Sequence, residues 1–368
     1  MASITLLVKR AAAALTLVVA AHVTAGACTS AIVSGKASLS GRPMMWKHRD
    51  TGADHNFIQR VEADPSRPGS IGYVALFNGG DTGLREAWMG MNDAGFAVMN
   101  TASYNLAPDT TDYKDREGLV MAEALRVCRT VDDFEALLKR LPKPLGVQAN
   151  FGVLDAAGNG AYFETDDYEY TKFPLEDAES GVLIRSNYSF SGNDTDGFGY
   201  IRYENARELL KDRTASRSLI PACFTEDLSR SFYNSRLGYN PEAMGDSWAV
   251  DQDFIPRTIS TASIVIEGLL PGENPDKMVM WTALGYPPCS HVEPVFLDCI
   301  PAGLLPTGEE GRSESCDRAM ELKKQVFPVS RGSGPRYINL DALRPVMDEE
   351  RQKSLDGYSK GARMRDSR

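Results

Sequence analysis

The stretch that decides the fold is residues 28–50, Cys28-Thr-Ser-Ala-Ile-Val-Ser-Gly-Lys-Ala-Ser-Leu-Ser-Gly-Arg-Pro-Met-Met-Trp-Lys-His-Arg-Asp50. It contains two β-type runs, Ser30–Val33 and Met44–Lys47, separated by residues that favour turns. A cysteine stands shortly before the first run, and an aspartate follows the second. If the chain before Cys28 is removed, the mature protein begins with a thiol and an α-amino group on one residue, at the head of a strand.

Residues 1–27 have the pattern of a secretory signal peptide. Lys9 and Arg10 supply positive charge, an apolar run follows over residues 11–21, and Ala25-Gly-Ala27 forms an A-x-A-like cleavage site. The run is too short for a permanent anchor, and no later stretch approaches about 18 consecutive apolar residues. We therefore expect an exported protein, periplasmic or extracellular, without a permanent membrane span. Two alternatives stay open: lipid modification of Cys28, as in bacterial lipoproteins, or cleavage a residue or two away.

The composition excludes several classes of function. The chain has 368 residues with 40 Lys and Arg against 50 Asp and Glu, which gives a formal net charge of −10. An acidic chain without a dense basic stripe argues against a nucleic-acid partner. Four His and six Cys leave little material for an elaborate metal site, and we expect no metal and no cofactor.

The cysteines other than Cys28 allow disulfides in an exported protein. Five remain, so at least one is unpaired within the chain, and spacing alone does not fix the pairing. Cys289 and Cys299 flank a short loop, which makes them the favoured bridge. None of the five lies in a C-x-x-C motif, which disfavours redox catalysis.

Short β-type runs dominate the rest of the chain. Several are apolar on successive residues, which indicates strands covered on both faces. Helical patterns are fewer, and the clearest is Val131–Leu141, with Thr130 as N-cap and Pro142 after its end. The pattern predicts layered sheets with helices outside, in a domain spanning 28–330. From about residue 331 the chain becomes polar and charged, and we expect a C-terminal tail (331–368) that frays or packs peripherally. The remaining predicted strands and helices are 72–77, 96–99, 151–154, 161–164, 168–172, 182–185, 259–266 and 277–282 for strands, and 119–128 and 200–210 for helices.

A cysteine at the mature N-terminus has its own general base. An α-amino group titrates at a pKa near ~8 and can take the proton of the thiol. One residue then supplies nucleophile and base, so no catalytic histidine is needed. Other schemes lack their motifs: the chain has no G-x-S-x-G elbow, no phosphate-binding loop and no H-E-x-x-H. A pair of Cys28 with His48 is conceivable, but signatures of the papain type are absent.

These residues resemble the N-terminus of the cysteine N-terminal-nucleophile (Ntn) hydrolases, which include choloylglycine hydrolases, penicillin V acylases and isopenicillin N acyltransferases. Cys28-Thr29 followed by a motif ending in Asp50 carries the likeness. Two later strands extend it, Gly90-Met-Asn-Asp-Ala-Gly-Phe-Ala-Val-Met-Asn100 and Gly181-Val-Leu-Ile-Arg-Ser-Asn187, as does Arg257 in Ile-Pro-Arg-Thr-Ile. The resemblance implies an α+β fold, the αββα four-layer sandwich of two stacked, mainly antiparallel sheets between helical layers.

The resemblance also implies roles for individual residues. Cys28 would be the nucleophile, and Asp50 would orient and pair with its amine. Asn187 would donate its amide to the oxyanion, and Arg257 would steady the nucleophile region.

Two positions depart from the family pattern. The family usually has Arg three residues before the Asp, where this chain has Lys47, with Arg49 as the rival cation. A lysine supplies charge but not the forked geometry of a guanidinium. Choloylglycine hydrolases carry an oxyanion Asn seven residues after the Gly matched by Gly95. This chain has Ala102 there, and Asn100 is a candidate two residues earlier on the same strand face.

The resemblance implies a hydrolase that cleaves a linear amide of a small molecule through a thioester on Cys28. Acyl transfer to an amine by the same fold is the nearest alternative. A non-catalytic lipoprotein with lipid on Cys28, or an exported binding protein with an inert N-terminus, would leave Cys28 without catalysis. Oligomerisation stays possible, and the sequence does not identify the acyl or amine part of the substrate.

Overall fold

The computed structural model describes residues 27–107, 115–194, 197–330 and 334–368. The signal peptide predicted for residues 1–27 lies outside this range except for Ala27. Among the described residues, no helix combines the length and the apolar character needed to cross a bilayer.

A six-stranded sheet carries the segment that begins at Cys28. Its order is β10-β1-β2-β12-β13-β14, and neighbouring strands pair antiparallel throughout. Strand β1 therefore lies between β2 and β10, with Ser30 opposite Lys47 on one side and Arg185 on the other. The strands are β1 (Thr29–Val33), β2 (Met44–Asp50), β10 (Val182–Arg185), β12 (Ser260–Glu267), β13 (Val279–Leu284) and β14 (Glu293–Val295).

A second sheet has seven strands in sequential order, β3-β4-β5-β6-β7-β8-β9, again antiparallel between neighbours. A separate two-stranded ribbon joins β11 (Trp248–Val250) to β15 (Tyr337–Asn339). The seven strands are β3 (Asn56–Val61), β4 (Tyr73–Asn78), β5 (Met89–Asn92), β6 (Ala97–Ala102), β7 (Ala149–Leu154), β8 (Gly160–Thr165) and β9 (Tyr170–Pro174).

The two sheets stack face to face and share one apolar interior. Ile32, Met45 and Ile264 of the first sheet pack in the same buried cluster as Val74 and Met99 of the second. The other face of each sheet is also covered, which explains the apolar runs on successive residues. Helices form these outer layers, so the αββα sandwich predicted from the sequence is confirmed.

The helices lie on the two outer faces. Helices α1 and α2 cover the seven-stranded sheet, while α3 and a π-helix cover the six-stranded one. Helix α2 begins at a capping box in which Thr130 and Asp133 satisfy each other's backbone N–H groups. The helices are α1 (Glu117–Val127), α2 (Val131–Arg140), α3 (Tyr200–Ala215), the π-helix (Cys223–Leu228), α4 (Pro241–Met244), α5 (Glu314–Val326) and α6 (Leu340–Asp366).

The C-terminal segment that we expected to fray or pack peripherally contains a long helix. Residues 340–366 form helix α6, and Leu340, Leu343 and Met347 are buried on one side of it. The same side buries Glu350, which Arg318 neutralises at 2.5 Å. Because half of its buried positions are charged or small, the helix looks like a solvated segment in the sequence. The domain boundary at 330/331 stays a prediction.

The predicted bridge between Cys289 and Cys299 is wrong, since all six cysteines are free thiols. Cys289 is buried in the cluster formed with α5 and α6, whereas Cys299 packs at the edge of the cluster beneath α3. Their closeness in sequence therefore does not bring the two sulfurs together.

Candidate active site

Cys28 lies directly before β1 and is 7% exposed. Its backbone nitrogen donates to Asn187 Oδ1 at 2.9 Å, and its Sγ lies 3.9 Å from the carbonyl oxygen of Asp50. Residue 27 precedes it here, and the N–H of Ala27 donates to the same carbonyl of Asp50 at 3.1 Å. The structure thus brings together three residues predicted from distant parts of the sequence.

Strand register explains why these residues meet. Thr29 pairs with His48 and Ser30 pairs with Arg185. Because β1 is antiparallel to both neighbours, the residue before Thr29 lies beside the C-terminal ends of β2 and β10. Asp50 is the last residue of β2 and Asn187 lies two residues beyond β10, so both lie beside Cys28.

Asp50 is held by a buried network. Arg257 donates to Asp50 Oδ2 from Nε at 3.0 Å and from Nη2 at 2.8 Å, and Ser260 donates to Asp50 Oδ1 at 2.6 Å. The Asp50 side chain is fully buried, while that of Arg257 is 24% exposed. Burial lowers the pKa of Arg257, but the Asp50 carboxylate outweighs this effect and the pKa is raised overall. The predicted pairing partner of the amine is therefore a carboxyl group held in a fixed orientation by Arg257 and Ser260.

His48 forms its hydrogen bond within this network and not with the Cys28 thiol. Its Nε2 lies 2.9 Å from Ser260 Oγ. Because the hydroxyl gives its single hydrogen to Asp50, the bonding pattern assigns the imidazole hydrogen to Nε2. Burial lowers the pKa of His48 to about 4, so the ring is neutral at ordinary pH. A Cys–His pair of the papain type is not formed.

Lys47 projects from the opposite face of β2, between the sheets. Its Nζ donates to Asn100 Oδ1 at 2.7 Å and to the carbonyl oxygen of Trp88 at 2.8 Å. Burial lowers the pKa of Lys47 to about 7, and negative charge on Cys28 opposes this shift. Lys47 is therefore a buried cation close to the thiol.

Arg49 shares that face of β2. Its guanidinium donates to the Oδ1 atoms of Asn56 and Asn78 and lies 5.1 Å from the centre of the Trp88 ring. Burial lowers the pKa of Arg49 to about 10, and negative charge on Cys28 opposes this shift as well. Among the described residues no carboxylate forms an ion pair with Lys47 or Arg49. The structure brings both rival cations to the thiol, and only Lys47 contacts Asn100.

Asn100 lies on β6 of the second sheet and is 5% exposed. A lysine ammonium only donates, so the atom facing Lys47 is the amide oxygen. Asn100 Nδ2 is then directed away from Lys47. The contact therefore gives the Asn100 amide donor a fixed orientation, although Asn100 is two residues from the family position.

Sequence reasoning missed Arg202. Its Nη1 donates to the carbonyl oxygen of Cys28 at 2.6 Å and to Thr29 Oγ1 at 2.9 Å, and its Nη2 donates to Asn187 Oδ1 at 2.6 Å. The side chain comes from α3, 174 residues along the chain from Cys28. An arginine in the first turn of a helix carries no sequence signal that would single it out.

Asn187 is oriented by these contacts. Its Oδ1 accepts from Cys28 and Arg202, and its Nδ2 donates to the carbonyl oxygen of Ala102 at 2.8 Å. The resemblance implied that Asn187 donates to the oxyanion. In this structure its oxygen faces the nitrogen of Cys28, which suits a residue that holds the amine.

Aromatic side chains stand beside the site. The Tyr104 and Phe198 rings meet edge to face with centroids 5.5 Å apart, and Phe198 is 62% exposed. Burial raises the pKa of Tyr104, and negative charge on Cys28 adds to the shift. The surface next to the nucleophile is therefore partly aromatic.

A groove of about 1840 Å³ lies elsewhere on the molecule, and its lining does not include Cys28. It meets β1 at Ser34, beyond the strand's opposite end. At ~3.3 Å per strand residue, this end lies roughly 17–20 Å from Cys28. The groove is thus separate from the candidate site. In the described ranges, no cluster of three or more His, Cys, Asp or Glu side chains is arranged to hold a metal ion.

Comparisons with known proteins give matches among solved structures only. No family model and no curated protein matches the sequence. Solved structures do match, among them an N-acylethanolamine-hydrolyzing acid amidase ortholog from Caenorhabditis elegans, with 13% identity, 67% of this chain and 94% of that chain covered, and a TM-score of 0.42. Penicillin V acylase from Agrobacterium tumefaciens matches with 14% identity, 73% and 86% coverage, and a TM-score of 0.44.

A conjugated bile acid hydrolase from Clostridium perfringens matches with 10% identity, 74% of this chain and 95% of that chain covered, and a TM-score of 0.45. These neighbours are Ntn hydrolases, the family that the Cys28 segment resembles.

Proposed function

We propose that this chain is an N-terminal-cysteine amidohydrolase that cleaves a linear amide bond through a thioester on Cys28. The observation that carries the proposal is the position of the Cys28 nitrogen, 2.9 Å from Asn187 Oδ1, with fixed charged groups on both sides of its strand. Export and removal of residues 1–27 belong to the proposal, because only then does this nitrogen become an amine.

Activation needs one proton transfer. The α-amine of Cys28 takes the thiol proton and becomes an ammonium, and the sulfur becomes a thiolate. Asn187 Oδ1 and the Asp50 carboxylate lie on the side of the ammonium, while Lys47 and Arg49 lie on the side of the thiolate. Each charge created by the transfer therefore meets a group that stabilises it.

Acylation follows at the substrate carbonyl. The thiolate attacks the carbonyl carbon, a carbon–sulfur bond forms, and the π electrons move to the oxygen. Asn100 Nδ2, turned away from Lys47, is a suitable donor to this oxyanion. As the intermediate collapses, the carbon–nitrogen bond breaks and the ammonium of Cys28 returns its proton to the leaving amine.

Water completes the reaction. It attacks the thioester, the amine of Cys28 accepts a proton from it, and the carboxylic acid leaves as the thiol re-forms. Transfer to an amine in place of water is the second candidate function, and it uses the same acyl-enzyme. A lipid on the Cys28 nitrogen or sulfur would prevent both reactions.

A variant and a trap test this proposal together. Cys28→Ala should abolish hydrolysis of an amide panel while the protein stays folded, and an acyl adduct on residue 28 should appear when the wild-type enzyme is quenched with substrate. Hydrolysis by Cys28→Ala at the wild-type rate would refute the assignment. Cys299→Ala is the matched control, since Cys299 is the one cysteine of the six that is not buried.

A further inference from the structure

Arg202 forms hydrogen bonds with Cys28 and Thr29, the first two residues that follow the predicted cleavage site. Its guanidinium binds the carbonyl oxygen of Cys28, the hydroxyl of Thr29 and the side-chain oxygen of Asn187, at 2.6, 2.9 and 2.6 Å. We propose that Arg202 is a positioning residue for Cys28, which fixes the backbone of the nucleophile and turns the Asn187 oxygen toward its nitrogen. This inference rests on the proposed function, in which that nitrogen is the general base.

The orientation of Asn187 follows from donor chemistry. A guanidinium has five N–H donors and no acceptor, so the Asn187 atom that faces it is oxygen. The same oxygen accepts from the nitrogen of Cys28. With Arg202 in place, Asn187 cannot turn its NH₂ group toward the amine, and the amine keeps an acceptor beside it. Without Arg202 the amide can rotate, and two donors would then face each other.

Charge gives Arg202 a second effect. The side chain is 3% exposed, and no carboxylate among the described residues forms an ion pair with it. Arg257 and Asp50 lie close enough to act on it, as does Asp253. A buried cation beside an amine favours the neutral amine, which is the form that accepts a proton. Asp50 raises and Arg257 lowers the pKa of the same amine. The added positive charge of Arg202 therefore favours the neutral amine, which is the general base.

Gly199 makes room for this arrangement. Its φ is +85°, a left-handed conformation that glycine adopts without strain. A Cβ at this position would lie 2.3 Å from Arg202 Nη2, which is too close for any contact. Gly199→Ala therefore displaces the guanidinium without removing it. The hydroxyl of Thr29 is the third acceptor of the Arg202 guanidinium. This contact explains structurally why a threonine follows Cys28.

The test compares Arg202→Gln, Arg202→Lys and Gly199→Ala in the mature full-length chain. For Arg202→Gln we expect kcat to fall about tenfold to hundredfold with KM nearly unchanged. The fall reflects the loss of the charge-assisted hydrogen bonds that Arg202 makes. The acidic limb of the pH profile should move upward by roughly one pH unit, because a cation beside the amine is gone. Arg202→Lys should restore the limb but not kcat, since a lysine keeps the charge and loses the fork. Gly199→Ala should resemble Arg202→Lys.

A second readout works without substrate. The pH dependence of Cys28 alkylation by iodoacetamide, followed by peptide mass spectrometry, should shift in Arg202→Gln as the kinetic limb does. This shift is measurable even if no amide is hydrolysed, so failure of the proposed function and failure of this inference are distinguishable. Arg207→Gln is the matched control on the same helix, with a side chain that is 61% exposed.

Three results would overturn the role of Arg202. One is a raised KM with unchanged kcat, which would make Arg202 a substrate-binding residue. Another is an alkylation profile identical to the wild type. The third is an equal loss in Arg207→Gln. If Arg202→Gln does not fold, Gly199→Ala and Arg202→Lys decide the question by the same criteria.

Discussion

The ammonium of Lys47 lies 2.7 Å from Asn100 Oδ1 and joins the two sheets beside Cys28. Lys47 comes from β2 of the first sheet and Asn100 from β6 of the second. The contact crosses the interior of the sandwich, where a buried charge is costly unless it is paired or hydrogen-bonded. It also fixes which end of the Asn100 amide faces Lys47.

The first prediction concerns the pH dependence of activity. Burial lowers the pKa of Lys47 to about 7, so its charge is lost as pH rises through neutrality. We expect an alkaline limb near pH 7 in kcat/KM, because the thiolate then loses a stabilising cation. Lys47→Arg should move this limb upward by at least about two pH units, since a guanidinium stays charged. Lys139→Arg, whose side chain is 62% exposed, is the control. An unmoved limb in Lys47→Arg would count against the role of Lys47.

The same residue gives a prediction about stability. The unfolded chain keeps the ordinary Lys47 pKa of 10.5, whereas the folded chain has about 7. Between these values the unfolded state binds one more proton, so the free energy of unfolding should rise with pH across that window. Urea denaturation at several pH values should show this rise in the wild type and a smaller one in Lys47→Met. Equal slopes in both proteins would contradict the assignment.

A third prediction concerns the pair of Asp50 and Arg257. Arg257→Gln leaves a buried carboxylate without its cation, and we expect a loss of about 3–5 kcal/mol in unfolding free energy. Activity should fall as well, because Asp50 no longer has a fixed orientation. The comparison is Arg312→Gln, which breaks a pair with Asp317 whose side chains are 40% and 36% exposed. That surface pair should contribute no more than about 1 kcal/mol. Equal losses in the two variants would argue against a special role for the buried pair.

Ser260 connects the other members of the hydrogen-bond network around Asp50. It donates to Asp50 Oδ1, accepts from the N–H of Arg257 at 2.8 Å, and faces His48 Nε2. Ser260→Ala leaves buried polar groups unpaired, at a cost of about 1–3 kcal/mol, and should lower kcat more than it raises KM. Ser216→Ala, on an exposed turn, should change neither quantity. A wild-type kcat in Ser260→Ala would show that Asp50 keeps its position unaided.

The last variant pair tests the C-terminal helix. Leu343 is fully buried on α6, and Leu343→Ala should destabilise the protein by about 2–5 kcal/mol. Leu355 lies on the same helix with 57% of its surface exposed, and Leu355→Ala should change stability by less than about 0.5 kcal/mol. Thermal or urea unfolding measures both. A harmless Leu343→Ala would restore the expectation of a peripheral tail.

These residues also show what the sequence could predict. Cys28, Asp50 and Asn187 stand at strand ends whose hydrophobic runs are plain, and antiparallel pairing then brings the ends together. The resemblance to the Ntn hydrolases named these residues, and strand pairing explains why they meet. Arg202 could not be predicted, because its position depends on how α3 packs over β1. Helix α6 was missed because Glu350 and Ser354 occupy buried positions where a pattern analysis expects apolar residues.

Intact mass and N-terminal sequencing of the purified, active protein test the central claim most directly. We predict a chain that begins at Cys28, carries no lipid, and gains the mass of one acyl group at that residue when quenched during turnover. An active protein that starts at another residue, or that carries a permanently acylated amine on Cys28, would contradict the account.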